Sequence, residues 1–482
     1  MITLSPRVIV VGAGPTGLAL AAELAGAGID VHVLEKRSHK AALSRAFTME
    51  PRTMELLDMR GRVDALLEHG RPCQHPPVGD ENGYLDYGLL DTRFAFSLII
   101  PQHRTESVLQ EAAAEAGAVI RFGVEVVGLR QDELGVDLDL LGPGGVETAR
   151  ADYVIGCDGV NSTIRSLVRV EFDGWNYEDS VIMGDCRLRN PPVPNAYARI
   201  TRRGMAAVFP FQDDTYRVIV FDHERMKLPA DTPLPLEEVR ESCAAILGMD
   251  VEPYDPVWLS RFRSSQRHAK KYRVGRVLLA GDAAHTHIPS GGQGLQTGIQ
   301  DAFNLAWKLR AEIEGWAPEG LLDSYEAERY PIAAETLRKT DISFRFETST
   351  SFVARTIRWV VQKLVRFDWF QRANLEHLSG LTLRYPGRGW VGRRVPDRPV
   401  TGGTRLYEHF RDGKFVLIGH SDAPLVPWAD RVTSVVLAEP LGRGCPPVVL
   451  VRPDGYVAWA GHEVPALNQW CGEPREHVWR EA

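Results

Sequence analysis

Cysteine is sparse in this sequence and never closely spaced: there are six in 482 residues, and none forms a CxxC. That excludes a disulfide framework and a cysteine-based zinc site, and it suits reduced thiols in a cytoplasm. Long apolar runs are also missing. None approaches the ~20 residues that cross a bilayer. The run in "MITLSPRVIVVGAG" is too short for a signal peptide and ends in glycines rather than a cleavage site. There is no basic excess: the net charge is -7, spread along the chain, which leaves no electrostatic footprint for nucleic acid. No lysine follows a glycine-rich stretch at Walker spacing, so nucleoside-triphosphate hydrolysis is disfavoured. These absences lead us to expect a cytoplasmic protein without nucleic-acid or membrane partners, long enough for about three domains.

One segment bears on the membrane question. "SFVARTIRWVVQKLVRF" (Ser351–Phe367) spaces Phe352, Val353, Ile357, Val360, Val361 and Leu364 as a helical face, opposite Arg355, Arg358 and Lys363. A basic amphipathic helix can lie on a bilayer. Such a face more often packs on its own protein, and that is the expectation here.

What is present begins with "RVIVVGAGPTGLALAAELAGAGIDVHVLEKR" (Arg7–Arg37), which reads as strand, tight turn, helix and strand. Gly12, Gly14 and Gly17 form GxGxxG directly after the first strand. Gly12 permits the turn, Gly14 lets a pyrophosphate reach the backbone, and Gly17 lets helix and strand pack closely. The helix N-terminus adds free N–H groups and a partial positive charge. Glu35, ending the second strand, is placed to accept hydrogen bonds from ribose hydroxyls, which favours FAD or NAD over NADP.

"DYVIGCDGVNSTIR" (Asp152–Arg165) is a second apolar strand, ending in Asp158-Gly159. Before it, Val119–Leu129 and Leu134–Leu140 are expected as two strands of an antiparallel meander. "RVLLAGDAAHTHIPSGGQGLQTGIQDAFNLAWKL" supplies a third strand, ending in Gly281-Asp282, and then a helix entered through Gly291, Gly292 and Gly294. Bare glycines at a helix start leave room for a flat ring system, with the helix end facing a group that becomes negative. His285 and His287 form only an HxH pair with no third ligand at metal spacing, so no metal is expected.

These three blocks, in this order, resemble the FAD-dependent class A aromatic hydroxylases of the para-hydroxybenzoate hydroxylase fold, and most closely the branch that oxidises aromatic polyketides. "SRAFTMEPRTMELLDMRG" (Ser44–Gly61), "IPQHRTESVLQEAA" (Ile100–Ala113) and "LLDSYEAERYPIAAET" (Leu321–Thr336) strengthen the likeness. The resemblance implies an α/β fold. A Rossmann-like FAD-binding domain of the glutathione-reductase type would carry an antiparallel β-sheet substrate domain and a C-terminal thioredoxin-like domain. It gives Gly12, Gly14, Gly17 and Glu35 to the ADP half of FAD, Arg45 to the flavin and pyrophosphate, Gln102 to the middle of the cofactor and the Val126 backbone to the adenine. Asp158 would serve FAD and the nicotinamide cofactor, and Asp282 the ribityl and pyrophosphate region. Pro289 would flank the reactive ring edge, with the backbone of Gly294, Leu295 and Gln296 at its pyrimidine end. Gln296 departs from the family's usual Asn.

The expected division is 1–72, 99–172 and 268–345 for the FAD-binding domain and 73–98 with 173–267 for the substrate domain. Connecting helices would span 346–384 and the C-terminal domain 385–482. The C-terminal domain lacks CxxC, so a structural or homodimer-contact role is expected rather than dithiol chemistry. Phe211, Tyr216 and Arg217 are candidate substrate-cavity residues. No catalytic base stands out, and His285 and His287 are expected to pack. The resemblance implies an NADPH- or NADH-consuming monooxygenase that uses O2, through a flavin C4a-hydroperoxide, to hydroxylate a polycyclic aromatic small molecule. Four other readings stay open: a Baeyer–Villiger or epoxidising enzyme, an antibiotic-inactivating monooxygenase, an oxygen-independent flavin reductase and a non-enzymatic FAD-bearing module.

Overall fold

The computed structural model describes residues 3–39, 45–78, 83–194, 196–349, 351–419 and 426–474. Ser44, residues 420–425 and residues 475–482 of the quoted stretches and spans lie outside them. The β-branched run Val8–Val11 is wholly buried and sits in the middle of a six-stranded sheet. The order across that sheet is Arg273–Val274, Val277–Leu279, Tyr153–Gly156, Val8–Val11, Val31–Glu35 and Val119–Phe122. All but the first strand run parallel. Burial on both faces explains the near-continuous apolar runs. Helix Pro15–Gly26 packs against helices Gln102–Glu115 and Gln293–Glu314.

The three motif strands are direct neighbours, so their carboxyl ends open at one place. Ligands of open α/β sheets bind at such ends.

A second six-stranded sheet is antiparallel, in the order Tyr197–Ile200, Gly204–Pro210, Tyr216–Asp222, Phe172–Leu188, Pro253–Ala269 and His285–Thr286. Its last strand lies just after Val277–Leu279 in the chain, so the third motif stitches the two sheets together. Helix Leu236–Leu247 covers the far face, where Val239, Cys243 and Ile246 meet Val208, Val218 and Val220.

Two expectations need correction. Val119–Leu129 is not one strand: Gly123, at φ +71, breaks it. Val119–Phe122 joins the parallel sheet, and Glu125–Gln131, Val136–Gly142 and Gly145–Ala151 form the meander. Thr48–Met49 and Arg71–Cys73 each pair with Ser97–Ile99 in a small three-stranded sheet. The apolar face of helix Phe352–Leu364 is left largely open: no residue of that helix is buried, and Phe352, Val353, Ile357 and Val360 are exposed.

The C-terminal segment forms a four-stranded sheet in the order Val432–Val435, Phe415–Ile418, Val448–Val451, Val457–Gly461. It is fastened to the rest by buried charges. Arg452 pairs with Glu328 at 2.7 Å and Glu328 with Lys308 at 2.7 Å, while Arg394 pairs with Glu55 at 2.6 Å. Burial lowers Lys308 to about 8, against the pull of Glu328. All six cysteines are free thiols. Among the described residues no helix is long and apolar enough to cross a membrane.

Candidate active site

The glycines of the first motif divide into two kinds. A Cβ on Gly12, which has φ +108, would collide with the Cys157 carbonyl, and one on Gly17 would collide with the Gly12 carbonyl. These two weld the first motif to the second and the helix to its strand. Gly14 is different: nothing lies within 4 Å of where its Cβ would be. It borders a cavity of about 930 Å³ that runs from this loop to the antiparallel sheet.

Glu35, Arg45, Gln102 and Val126 line the same cavity, as do Asp158, Asp282, Pro289, Gly294 and Leu295. Residues 35 to 295 in sequence are thus drawn to one space by the neighbouring strand ends. Glu35 accepts from Ala13 N at 2.9 Å and is also held by Arg37. Asp158 caps helix Thr163–Leu167, accepting from Ser162 Oγ at 2.5 Å and Thr163 N at 2.7 Å. Asp282 opens onto the cavity, where the enclosing protein raises its carboxyl pKa while His285 and Arg45 pull against that. Gln102 accepts from Ala46 N at 3.4 Å and donates to Glu106 at 2.7 Å.

Helix Gln293–Glu314, 22 residues long, starts at the cavity with no side chain capping it, behind Gly291 and Gly292 at φ +74 and +63. Its positive end and first N–H groups therefore remain available to an anionic group. The Nε2 of His287 is buried without a hydrogen-bond partner, and burial lowers this histidine to about 4, so the ring is neutral. An uncapped helix, an orphaned imidazole nitrogen and a Cβ-sized gap at Gly14 fit a large dinucleotide whose ring system has a polar edge.

Several predicted residues lie elsewhere. Gln296 is buried behind the wall, accepting from Glu50 N at 3.3 Å and donating to Thr48 O at 2.8 Å. Phe211, Tyr216 and Arg217 are not among the residues that line the cavity. Tyr216 faces the covering helix side of the sheet. Arg217 is pinned beneath the wall by Asp185, bonded at 2.5 and 3.0 Å, and donates to Arg45 O at 2.6 Å. Phe211 is buried at the strand end beside Arg217, 5.5 Å from ring centroid to guanidinium. The sheet's cavity face is instead built by Met205, Ala207, Phe209, Ile219 and Phe221. His285 is locked to Asp301 at 2.6 Å, and Asp301 to Arg329 at 2.6 Å. Among the described residues no cluster of three or more His, Cys, Asp or Glu can hold a metal.

Glu50 was not anticipated. It lines the cavity, is buried, and accepts from Tyr87 Oη and Ser97 Oγ, both at 2.8 Å. Burial pushes its carboxyl from an ordinary 4.5 up to about 7, with the two hydroxyls pulling the other way. A carboxyl held more tightly protonated in the folded state loses stability as pH rises from its unfolded to its folded pKa. The loss is complete above about pH 7 and amounts to at most ~3 kcal/mol. Glu50→Gln is expected to flatten that limb, so that its denaturant midpoint exceeds the parent's at about pH 8 but not at about pH 5. Parallel curves for the two proteins would refute this.

The chain matches the FAD binding domain family over residues 6–340 and the aromatic-ring hydroxylase C-terminal family over residues 388–474. It belongs to the FAD-dependent aromatic hydroxylases. This hydroxylase is 41% identical to a rifampicin monooxygenase of Streptomyces venezuelae, over 95% of this chain and 96% of that protein. It is 35% identical to the dialkyldecalin synthase of Streptomyces rugosporus, over 97% and 99%. The solved structure of OxyS anhydrotetracycline hydroxylase from Streptomyces rimosus superposes with a TM-score of 0.86, at 38% identity over 98% of this chain and 100% of that one. The hydroxylase is therefore a monooxygenase with FAD as cofactor, NAD(P)H as reductant and O2 as oxidant.

Proposed function

We propose that the enzyme hydroxylates a polycyclic aromatic small molecule of polyketide type, held against FAD in the cavity described above. The observation that carries this reading is continuity. One space joins the glycine loop and helix start to a chamber walled by Phe47, Phe209, Phe221, Phe262, Met183 and Ile219. Flat aromatic walls favour a flat apolar ligand.

Bound FAD would supply hydride acceptance and oxygen activation; the protein supplies position, charge and dryness. Gly14 would give the pyrophosphate its place, Asp282 and Arg45 would flank the chain between the two halves, and the helix start at Gly292–Gly294 would meet negative charge on the ring system. Chamber walls of this kind exclude water from a reactive oxygen donor. The nicotinamide cofactor, NADPH or NADH, would bind transiently near Asp158. The C-terminal sheet, with one parallel and two antiparallel pairings, supports a thioredoxin-like unit over 385–482 in the domain division given above.

The decisive experiment is NAD(P)H oxidation against a panel of polycyclic phenols under isotopically labelled O2, with mass analysis of the product. Label in the ring is expected. Turnover to an unlabelled product would overturn the reading. Gly294→Asp should fold, since only the His287 ring, at 3.6 Å, faces an added Cβ, and it is assayed with FAD in excess. Its new charge at the helix start should slow flavin reduction about tenfold, for ~1–2 kcal/mol of repulsion. Stopped-flow reduction at the parental rate would count against the role given to this helix end.

A further inference from the structure

Helix Phe352–Leu364 stands with aromatic and aliphatic side chains in water. Phe352 is 74% exposed, Trp359 59% and the nearby Trp369 65%. Among the described residues every exposed phenylalanine and two of three exposed tryptophans fall between 352 and 369. The opposite side seats the helix: Arg358 donates to Phe346 O and, at 2.8 Å, to Ser349 O, and Val365 is buried. The outward face therefore mixes Phe352, Val353, Trp359 and Val360 with Arg355, Lys363 and Arg366. No Asp or Glu occurs from Ser349 to Phe367.

We propose that this face docks on an anionic lipid bilayer. Aromatic rings settle at the headgroup level, and lysine and arginine reach from among them to lipid phosphates. A protein partner fits less well, because the centres of protein interfaces are depleted of lysine. A second copy would set Arg355, Lys363 and Arg366 against the same cations across a twofold axis, with no acid on the helix to pair them. The chain before the helix carries Ser343, Phe346 and Glu347, which line the active-site cavity, so the docked face adjoins its rim. The proposal stands independently of the substrate suggested above.

The test is sedimentation of the FAD-loaded protein with vesicles of phosphatidylcholine alone, or with ~30% phosphatidylglycerol. Binding to the anionic vesicles only is expected, weakening in about 0.5 M salt. Phe352→Ser/Trp359→Ser and, separately, Arg355→Glu/Lys363→Glu should each weaken it at least about tenfold while leaving FAD content and melting temperature unchanged. Three results would overturn the proposal. These are failure of the parent to bind anionic vesicles, binding that survives both double variants, and a light-scattering dimer that both variants dissociate without any vesicle binding.

Discussion

Gly14→Val is expected to purify folded and colourless. Its Cβ enters the open space beside the glycine loop, with no atom beyond its chain neighbours within 4 Å, so the fold is expected to hold. The same volume is where a pyrophosphate must lie to reach the backbone and the start of helix Pro15–Gly26. Loss of visible absorption, with no recovery on adding FAD and with a melting temperature within a few degrees of the FAD-stripped parent, is the expected outcome. Gly12→Val and Gly17→Val should instead be insoluble, since each forces a Cβ into a carbonyl. A yellow Gly14→Val would mean that the dinucleotide sits elsewhere.

The largest loss of stability is expected at Asp301. This carboxylate, fully buried in helix Gln293–Glu314, accepts from Gly281 N at 3.0 Å, His285 Nε2 at 2.6 Å and Arg329 Nε at 2.6 Å. It fixes the turn of the third motif and neutralises a guanidinium that is wholly shielded from solvent. Asp301→Leu leaves Arg329 buried and unpaired, at a cost of about 3–5 kcal/mol. Adding Arg329→Met removes that charge and should recover much of the loss, because a buried ion pair replaced on both sides is often tolerated. Chemical denaturation of the parent, both single variants and the double variant measures this directly. A single variant as stable as its parent would show that the network carries no such weight.

The three motifs were legible because their chemistry restricts residue type. Gly12 and Gly17 stand where no side chain fits, and acids close the strands at Glu35, Asp158 and Asp282. The substrate wall was not legible for a reason of geometry. Alternation along Gly204–Pro210 and Tyr216–Asp222 separates two faces, yet both are covered, one by helix Leu236–Leu247 and one by the cavity. Nothing local tells which is which, and Tyr216 lies on the helix side. Arg217 shares a face with Phe209, its cross-strand partner, but the pull of Asp185 draws it under the wall. Glu50 escaped notice because an acid before Pro51 looks like ordinary favourable charge at a helix start. Only the fold surrounds it with Tyr87 and Ser97. For helix Phe352–Leu364 the pattern of residues was read, but whether a neighbour covers it is a property of the whole molecule.

Ending the chain at residue 385 would strip Arg452 from Glu328 and Arg394 from Glu55. Ions built to face partners would then meet solvent on helices whose other ends shape the cofactor's seat. The last hundred residues thus act as a keystone rather than an appendage, and heat should take the whole protein apart in one step.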